Sequence, residues 1–246
     1  RIELPLAHGR VRGARGRYPI RLIYASNIPV ILMAALLANV NMFAMLFWSH
    51  PTMSKWPIIG HNWMIGAFDV SQGNPVPTMG AAYYLNRVNG IQDWFLPLAS
   101  PKYESYMTIG GVSHEPYQLL LHIIVYMGVM ILGSMMFAKF WIETTNMGPQ
   151  AVAKQIQGSG MQIPGFRRDP RIVEKVLERY IPTVTIFSGF IVGLLAAGAD
   201  MIGTTGQSSG TGVLLTVGIM IRMYEQIGKE QMMEMHPVLR QFFGEE

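Results

Sequence analysis

Four stretches of the chain are apolar over about the 20 residues that a helix needs to cross a bilayer core. They cover residues 20–48, 117–138, 181–199 and 210–228. The fourth is the weakest, because its strictly apolar part ends near Ile221, just before Arg222. That helix either lines water or is buried among other helices. The pattern predicts an all-α integral membrane protein with four transmembrane helices.

Basic residues cluster between these spans, and their distribution orients the chain. Of the 19 Lys and Arg residues, six lie at or before Arg21 and seven lie in residues 139–180. The longer segment 49–116 has only three. Because cytoplasmic loops of membrane proteins carry the excess of Lys and Arg, the two basic segments are predicted to be cytoplasmic.

This bias assigns a side of the membrane to every connecting segment. We expect cytoplasmic segments at residues 1–19, 139–180 and 229–246, and extracytoplasmic loops at 49–116 and 200–209. Both ends of the chain would then be cytoplasmic, as an even number of spans requires. The expected location is the cell (plasma) membrane, crossed several times.

The 49–116 loop is too long to be a simple turn. It is rich in Trp, Tyr and Phe, so parts of it are expected to lie along the membrane interface, where aromatic rings are favoured. A second membrane-inserted segment at residues 79–99 is the less favoured alternative, because Arg87, Asp93 and two glycines interrupt it.

The composition agrees with a membrane protein. Half of the residues are apolar and only 14% are charged, against about 25% charged residues in a soluble domain. The chain has no cysteine, which excludes disulfides, thiol catalysis and Cys-ligated metal. It begins at Arg1 in a basic segment without a signal peptide, so we expect it to be part of a longer protein.

Two short patterns resemble enzyme or metal motifs and are better explained otherwise. GQSSG at residues 206–210 fits the Ser-nucleophile pattern, but it joins two spans, whereas that motif needs a preceding strand and acid and His partners. His114, Glu115 and His122 could suggest a metal site, but a zinc site needs three or four ligands that converge, and a carboxylate at a helix start with a lone intramembrane His is the better explanation. We expect no enzyme, no metal and no cofactor.

Polar and small residues inside the spans indicate which helix faces are special. Asn27, Asn39 and Asn41 fall within one broad sector of the first span, which predicts a wet or mobile face, with ordinary interhelical hydrogen bonds as the alternative. Gly189, Gly193 and Ala197 recur at four-residue spacing in the third span. Such a small-residue stripe predicts close packing against another helix.

The leading basic segment has the pattern of a two-stranded projection with a basic tip. Residues 8–17 hold four arginines among glycines, at Arg10, Arg12, Arg15 and Arg17. A solvated basic tip can bind the phosphates of RNA or of lipid headgroups. The alternative is that these arginines only enforce topology.

Five motifs, in this order, resemble the carboxy-terminal half of the SecY family of protein-conducting channels in its archaeal form. They are YPIRLIY at 18–24, SNIPVIL at 26–32, MQIPGFR at 161–167, GTGVLL at 210–215 and RMYEQ at 222–226. The resemblance covers essentially the whole chain. It implies that the four spans are similar to helices seven to ten of a ten-helix channel built from two inverted halves.

The resemblance also implies roles for particular residues. Ile31 and Leu215 match this half's share of the apolar pore ring, and Asn39 matches the polar residue that faces the lateral gate. The ribosome-docking positions match Arg10, Arg12, Arg15 and Arg17 of the leading hairpin loop and Arg167 of the second cytoplasmic loop. In bacterial relatives those loops also dock the translocation motor.

The implied partners are those of a complete translocation channel. They are the amino-terminal half of SecY, SecE-like and beta subunits, the ribosome, translocating polypeptides with their signal sequences, and membrane lipids. Two other classes stay open. A secondary transporter half needs ionisable groups near mid-membrane, of which the spans offer almost none, and a non-conducting structural subunit is harder to exclude.

Overall fold

The computed structural model describes residues 2–8, 15–20, 27–52, 55, 65–70, 75–100, 102, 105, 107–109, 111–158, 161–162, 170–203 and 209–235. Helices dominate these residues. They are α1 (Ile28–Ser49), α2 (Gly80–Tyr84), α3 (Phe95–Ala99), α4 (Pro116–Thr144), α5 (Pro149–Gly158), α6 (Pro170–Ile202) and α7 (Gly210–Met235).

The strands are short and lie at the two ends of the helices. They are β1 (Ile2–His8), β2 (Arg15–Ile20), β3 (Ala67–Asp69), β4 (Val76–Met79), β5 (Thr108–Ile109), β6 (Val112–Ser113) and β7 (Met161–Gln162). The sheet β2-β1-β7 is antiparallel, and β3-β4 and β5-β6 form two separate antiparallel pairs. The β1–β2 pair confirms the predicted hairpin, with Ile2 opposite Ile20 and Ala7 opposite Arg15.

The first long helix begins later than its apolar stretch. The apolar pattern predicted a span that begins at Ile20. In the structure Ile20 is the last residue of β2, and α1 begins at Ile28. The reason is Pro29, which lies in the first turn of α1. There its missing N–H is unimportant, whereas inside a longer helix it would remove a hydrogen bond and clash with the preceding turn.

The other three long helices extend beyond their predicted spans. Residues 117–138 lie within α4, which continues to Thr144, and residues 181–199 lie within α6, which begins at Pro170. The first part of α6 is amphipathic rather than apolar: Val173, Leu177 and Ile181 are buried together with residues of α5. An apolar window therefore detects only the part of a helix that is apolar on all sides.

Three of the described helices are long and apolar enough to cross a membrane. They are Ile28–Ser49, Pro116–Thr144 and Val173–Ile202, with mean hydropathies of 2.2, 2.1 and 1.9. α7 extends from Gly210 to Met235, past the end of the predicted 210–228 span, and is not among the three, since Arg222 interrupts its apolar run. The chain is a membrane protein, and its fourth crossing stays a prediction.

The 79–99 alternative is not supported by the described residues of the outer loop. There α2 and α3 have five residues each and are separated by a single 3-10 turn at Ile91–Asp93. A five-residue helix is only about 7.5 Å long, against about 30 Å of hydrocarbon. Neither helix can span a bilayer.

Two buried clusters hold the long helices together. One joins α1, α4 and α6 through residues such as Val30, Met33, Tyr126, Met130 and Val192. The other joins the end of α4 to α5 and the start of α6. The outer faces are apolar as well, with Met136 75% and Ile124 66% exposed. Such surfaces favour lipid over water as their surroundings.

Candidate functional site

The start of α1 is tied to α7 by the side chain of Asn27. Asn27 is the N-cap residue of α1, yet its side chain makes no cap bond; its Nδ2 donates to the carbonyl oxygen of Leu214 at 3.0 Å. A Cβ built on Gly218 would lie 2.8 Å from that nitrogen. An N-cap Asn usually bonds the free N–H groups of its own helix. Here the amide joins two helices instead.

The two predicted ring residues flank this contact. The N–H of Ile31 donates to the carbonyl oxygen of Asn27 at 3.3 Å, and Leu215 directly follows Leu214. Val30 is fully buried, and Leu214 packs against the same cluster. Successive helical residues differ by about 100°, so Ile31 and Leu215 lie beside these buried faces. Ile31 is partly buried and Leu215 is 39% exposed.

The three asparagines of α1 do not share one polar face. Nδ2 of Asn41 donates to Oδ1 of Asn86 at 3.4 Å, and Asn27 bonds α7. Asn27 and Asn41 therefore hydrogen-bond to other elements of the fold, which was the alternative to a wet or mobile face. Asn39 is exposed and lies about 200° around the helix from the buried Leu37. Of the three, it is the residue that faces outward.

A buried carboxyl group fixes the corner between α6 and α7. Asp200 is 5% exposed and accepts hydrogen bonds from the hydroxyl of Tyr126 at 2.7 Å and the backbone N–H of Gly210 at 2.6 Å. Oγ of Ser209 accepts from the N–H of Gly212 at 3.1 Å. The first N–H groups of α7 thus have side-chain acceptors, as a buried helix start requires. Ser209, part of the Ser-nucleophile pattern, is a helix cap.

A small cavity of about 240 Å³, lined by both polar and apolar side chains, lies beside this corner. It is bordered by α1, α4, α6 and the loop after α2, and its polar lining includes Asn41, Asn86, Arg87, Tyr126 and Asp200. Oδ1 of Asn41 is buried without a hydrogen-bond partner among the described residues. A cavity of this size with several polar groups in its lining can hold ordered water that satisfies such an atom.

The small-residue stripe of α6 lies against the backbone of α4. A Cβ built on Gly189 would lie 2.8 Å from Cα of Met135, and one on Gly193 would lie 3.0 Å from Cα of Ile131. Ala197, the third member, is fully buried. This is the close helix approach that four-residue spacing of small residues permits.

The two basic segments meet in one sheet. Ala7 of β1 pairs with Gln162 of β7, and His8 pairs with Met161. Arg15 and Arg17 lie on β2, and the structure fixes their backbone positions. The predicted docking residues Arg10, Arg12 and Arg167 lie outside the described residues. Strand pairing nevertheless brings the leading hairpin and the segment that precedes Arg167 together.

An aromatic cluster that joins the outer loop to the start of α4 was not foreseen from the sequence. The ring of His114 stacks on Tyr83 at 4.4 Å, and the ring of His122 lies 4.5 Å from Tyr83. Nε2 of His122 lies 2.9 Å from the carbonyl oxygen of Asn86. Within the part of the chain that the structure describes, no three His, Cys, Asp or Glu side chains are grouped as metal ligands.

Burial shifts the pKa of two members of this cluster, Tyr83 and His114. Burial is the main reason that the pKa of Tyr83 rises to about 12, with smaller contributions from Tyr84 and Asp93. Burial also lowers the pKa of His114 below its usual value, which a hydrogen bond with Gln118 partly offsets. Tyr83 therefore stays neutral at physiological pH, and the neutral form of His114 is favoured.

Both the sequence and the structure of this chain are similar to those of known proteins. Residues 1–224 match the model of the SecY family. The chain is 46% identical over 246 residues to the protein translocase subunit SecY of Haloferax volcanii, and 47% identical over 244 residues to that of Halobacterium salinarum. These alignments cover 100% and 99% of this chain but 46% and 45% of the relatives. The chain spans about half the length of the curated relatives it matches.

A solved structure described as that of a protein-conducting channel shares the fold. Its TM-score is 0.64 at 41% sequence identity, over 96% of this chain and 46% of that one. A second structure, concerned with how the plug domain of SecY stabilizes the closed state of the translocation channel, gives the same values.

Proposed function

Because this chain belongs to the SecY family, we propose that it supplies the carboxy-terminal half of the central subunit of a Sec protein translocation channel. The complete channel would conduct secretory polypeptides across the membrane and release transmembrane segments laterally into lipid. The observation that carries this proposal is the α1–α7 junction, where one hydrogen bond holds together the helix segments that bear Ile31 and Leu215.

The two side chains suit a seal that works by excluding water. Both are bulky and aliphatic, and their partial exposure leaves them free to face a pore that other segments complete. A hydrophobic constriction blocks ions by dewetting. It also offers a passing polypeptide no polar partner to bind. The channel needs no covalent chemistry.

Lateral release requires a helix face that can separate from its neighbour. Asn39 lies on the exposed side of α1 among apolar side chains such as Leu36 and Phe43, which are 45% and 53% exposed. In our proposal the amino-terminal half covers this face when the channel is closed. Apolar segments of a passing polypeptide would then leave through the opened gate, driven by the hydrophobic effect.

We also propose that the β2-β1-β7 sheet supports the surface that docks the ribosome. The sheet joins the backbone of the leading hairpin to the segment before Arg167. Arginines on such a platform would bind RNA phosphates, and binding would weaken steeply with salt. Arg12→Glu should weaken ribosome binding and reduce its salt dependence. Unaltered binding would contradict the docking role and favour a purely topological one.

The remaining partners follow from the family. SecE-like and beta subunits and the amino-terminal half would surround the four helices. Lipids would cover the outer apolar faces, and both chain ends would be cytoplasmic. The fourth crossing would be α7, whose Arg222 is tolerated because the helix lines a protein interior rather than lipid.

The experiment that tests the channel function is ion conductance of the reconstituted channel in planar bilayers. Ile31→Gly combined with Leu215→Gly should make the closed channel leaky. Each Gly also weakens its helix by about 1 kcal/mol, so the control is Met45→Gly with Met220→Gly, two exposed sites elsewhere on the same helices. Equal conductance of the ring variant and the control would overturn the ring and favour a non-conducting structural subunit.

A further inference from the structure

We infer that Asn27 is a positioning residue that sets the register of Ile31 against Leu215 and thereby controls how tightly the closed channel seals. The inference rests on the proposed channel function. It concerns a residue outside the proposed ring, whose amide connects the two helices that bear the ring.

The first argument is how Asn27 uses its side chain. At an N-cap, Asn stabilises its own helix by accepting a bond from an N–H of the first turn. Asn27 forgoes this, and its amide Nδ2 donates across to the Leu214 carbonyl oxygen 187 positions away in sequence. A local stabilisation has been replaced by a contact between helices.

The second argument is the space that Gly218 provides. The Leu214 carbonyl lies one turn before Gly218 on α7, and a Cβ there would lie 2.8 Å from Nδ2 of Asn27. Glycine inside a helix is less favourable than alanine. Its absence of a side chain opens the flank of α7 at the one turn where the Asn27 amide reaches the backbone.

The third argument is the position of the ring residues relative to this bond. Ile31 is one hydrogen-bonded turn after Asn27, and Leu215 is adjacent to Leu214. The start of α7 is itself fixed to α6 through Asp200. Sliding α1 along α7 by one turn, about 5.4 Å, must break the Asn27 bond. The bond therefore fixes the positions of Ile31 and Leu215 relative to each other along the helix axes.

The test combines conductance with a distance measurement in the reconstituted channel. The variants are Asn27→Ala, Asn27→Asp, Gly218→Ala and the double variant Asn27→Ala with Gly218→Ala. Asn27→Asp keeps the size of the side chain but removes the donor. Gly228→Ala is the matched control, because a Cβ at Gly228 meets nothing within 4 Å.

Spin labels report the register directly. This chain has no cysteine, so cysteines introduced at Leu32 and Ile219 are its only labelling sites, and both positions are exposed and outside the ring. We expect Asn27→Ala, Asn27→Asp and Gly218→Ala to broaden the distance distribution between the labels. They should raise the closed-state leak about two- to tenfold, the range that one net hydrogen bond supports.

The double variant separates this role from general damage. Without the Asn27 amide the added methyl at Gly218 has nothing to displace, so Gly218→Ala should have no further effect in the Asn27→Ala background. Additive effects, or unchanged leak and distances in the single variants, would overturn the inference. If the Ile31→Gly, Leu215→Gly channel is also tight, the proposed channel function is refuted. If that channel leaks while the Asn27 variants do not, only the positioning role of Asn27 is refuted.

Discussion

The corner between α6 and α7 offers the sharpest test of how this chain holds α7, the helix proposed to line the pore, in place. Tyr126→Phe removes one hydroxyl from the Asp200 carboxyl and leaves the ring volume almost unchanged, so no cavity forms. Asp200 keeps its bond to the N–H of Gly210. The change therefore isolates one buried hydrogen bond of 2.7 Å.

The expected magnitudes follow from burial and from the number of groups left without a partner. Asp200 is 5% exposed, and leaving a buried hydrogen-bonding group without one of its partners costs about 1–3 kcal/mol. Tyr126→Phe should lower the free energy of unfolding by that amount. Asp200→Ala leaves both the Tyr126 hydroxyl and the Gly210 N–H unpaired, each at a cost of about 1–3 kcal/mol, and should destabilise more.

The assay is reversible unfolding in mixed detergent micelles, followed by tryptophan fluorescence. Trp94 is a suitable local reporter, because its Nε1 donates to the carbonyl oxygen of Met201 at 3.0 Å, one residue from Asp200. Tyr117→Phe is the control, since Tyr117 is on the same helix and 64% exposed. It should change stability by less than about 0.5 kcal/mol.

Two results would refute this reasoning. One is a Tyr126→Phe variant as stable as the Tyr117→Phe control. The other concerns the coupling between the two residues. We expect Tyr126→Phe to cost much less in the Asp200→Ala background than in the native chain, because the hydroxyl then has no partner to lose. Equal costs in both backgrounds would mean that the hydrogen bond contributes nothing.

Two further predictions concern packing and pH. Gly189→Ala should destabilise by about 1–3 kcal/mol, because its Cβ would lie 2.8 Å from Cα of Met135, whereas Gly198→Ala meets nothing within 4 Å and should be neutral or stabilising; equal effects in thermal unfolding would contradict the close α4–α6 contact. Because burial lowers the pKa of His114 below its usual value of about 6.5, the stabilising effect of the neutral ring should be complete above that value and be lost as pH falls from it through the lowered pKa of the folded state. The fall in stability measured from pH 7 to 5 should be smaller in His114→Gln and unchanged in the exposed His50→Gln, and an equal fall in both variants would contradict this prediction.

Hydrophobic patterning was sufficient to predict the long helices, because a membrane-crossing helix is apolar on every side and over a fixed length. It could not predict where those helices end in water. The first turns of α6 bury Val173 and Leu177 on one face and expose Lys175 on another. Such an amphipathic segment is invisible to an apolar window but visible to a search at a period of 3.6 residues.

The residues that organise the candidate site were harder to foresee, since their partners are distant in sequence. The predicted third span ended at Ala199, one residue before Asp200, so the carboxyl group was assigned to a loop. Its burial and its bonds to α4 and α7 exist only in the folded chain. An acidic residue at the end of an apolar span, next to a glycine-rich segment, was the available signal.

The roles of the three asparagines near the start of the chain could not be separated from the sequence either. The sequence showed three asparagines in one broad sector of the first span, and geometry alone could not separate a wet face from helix contacts. The fold divides them, with Asn27 and Asn41 bonded to other elements and Asn39 exposed. Which amide finds a partner depends on where α7 and the loop after α2 lie.

The central claim, that this chain lines a conduit for polypeptides, is tested most directly by site-specific photocrosslinking to a stalled nascent chain. A crosslinker at Ile31 or at Leu215 should react with the nascent chain in the assembled channel. One at Met136, which is 75% exposed on α4, should react with lipid instead. A nascent chain that reacts from position 136 and not from 31 or 215 would contradict the account.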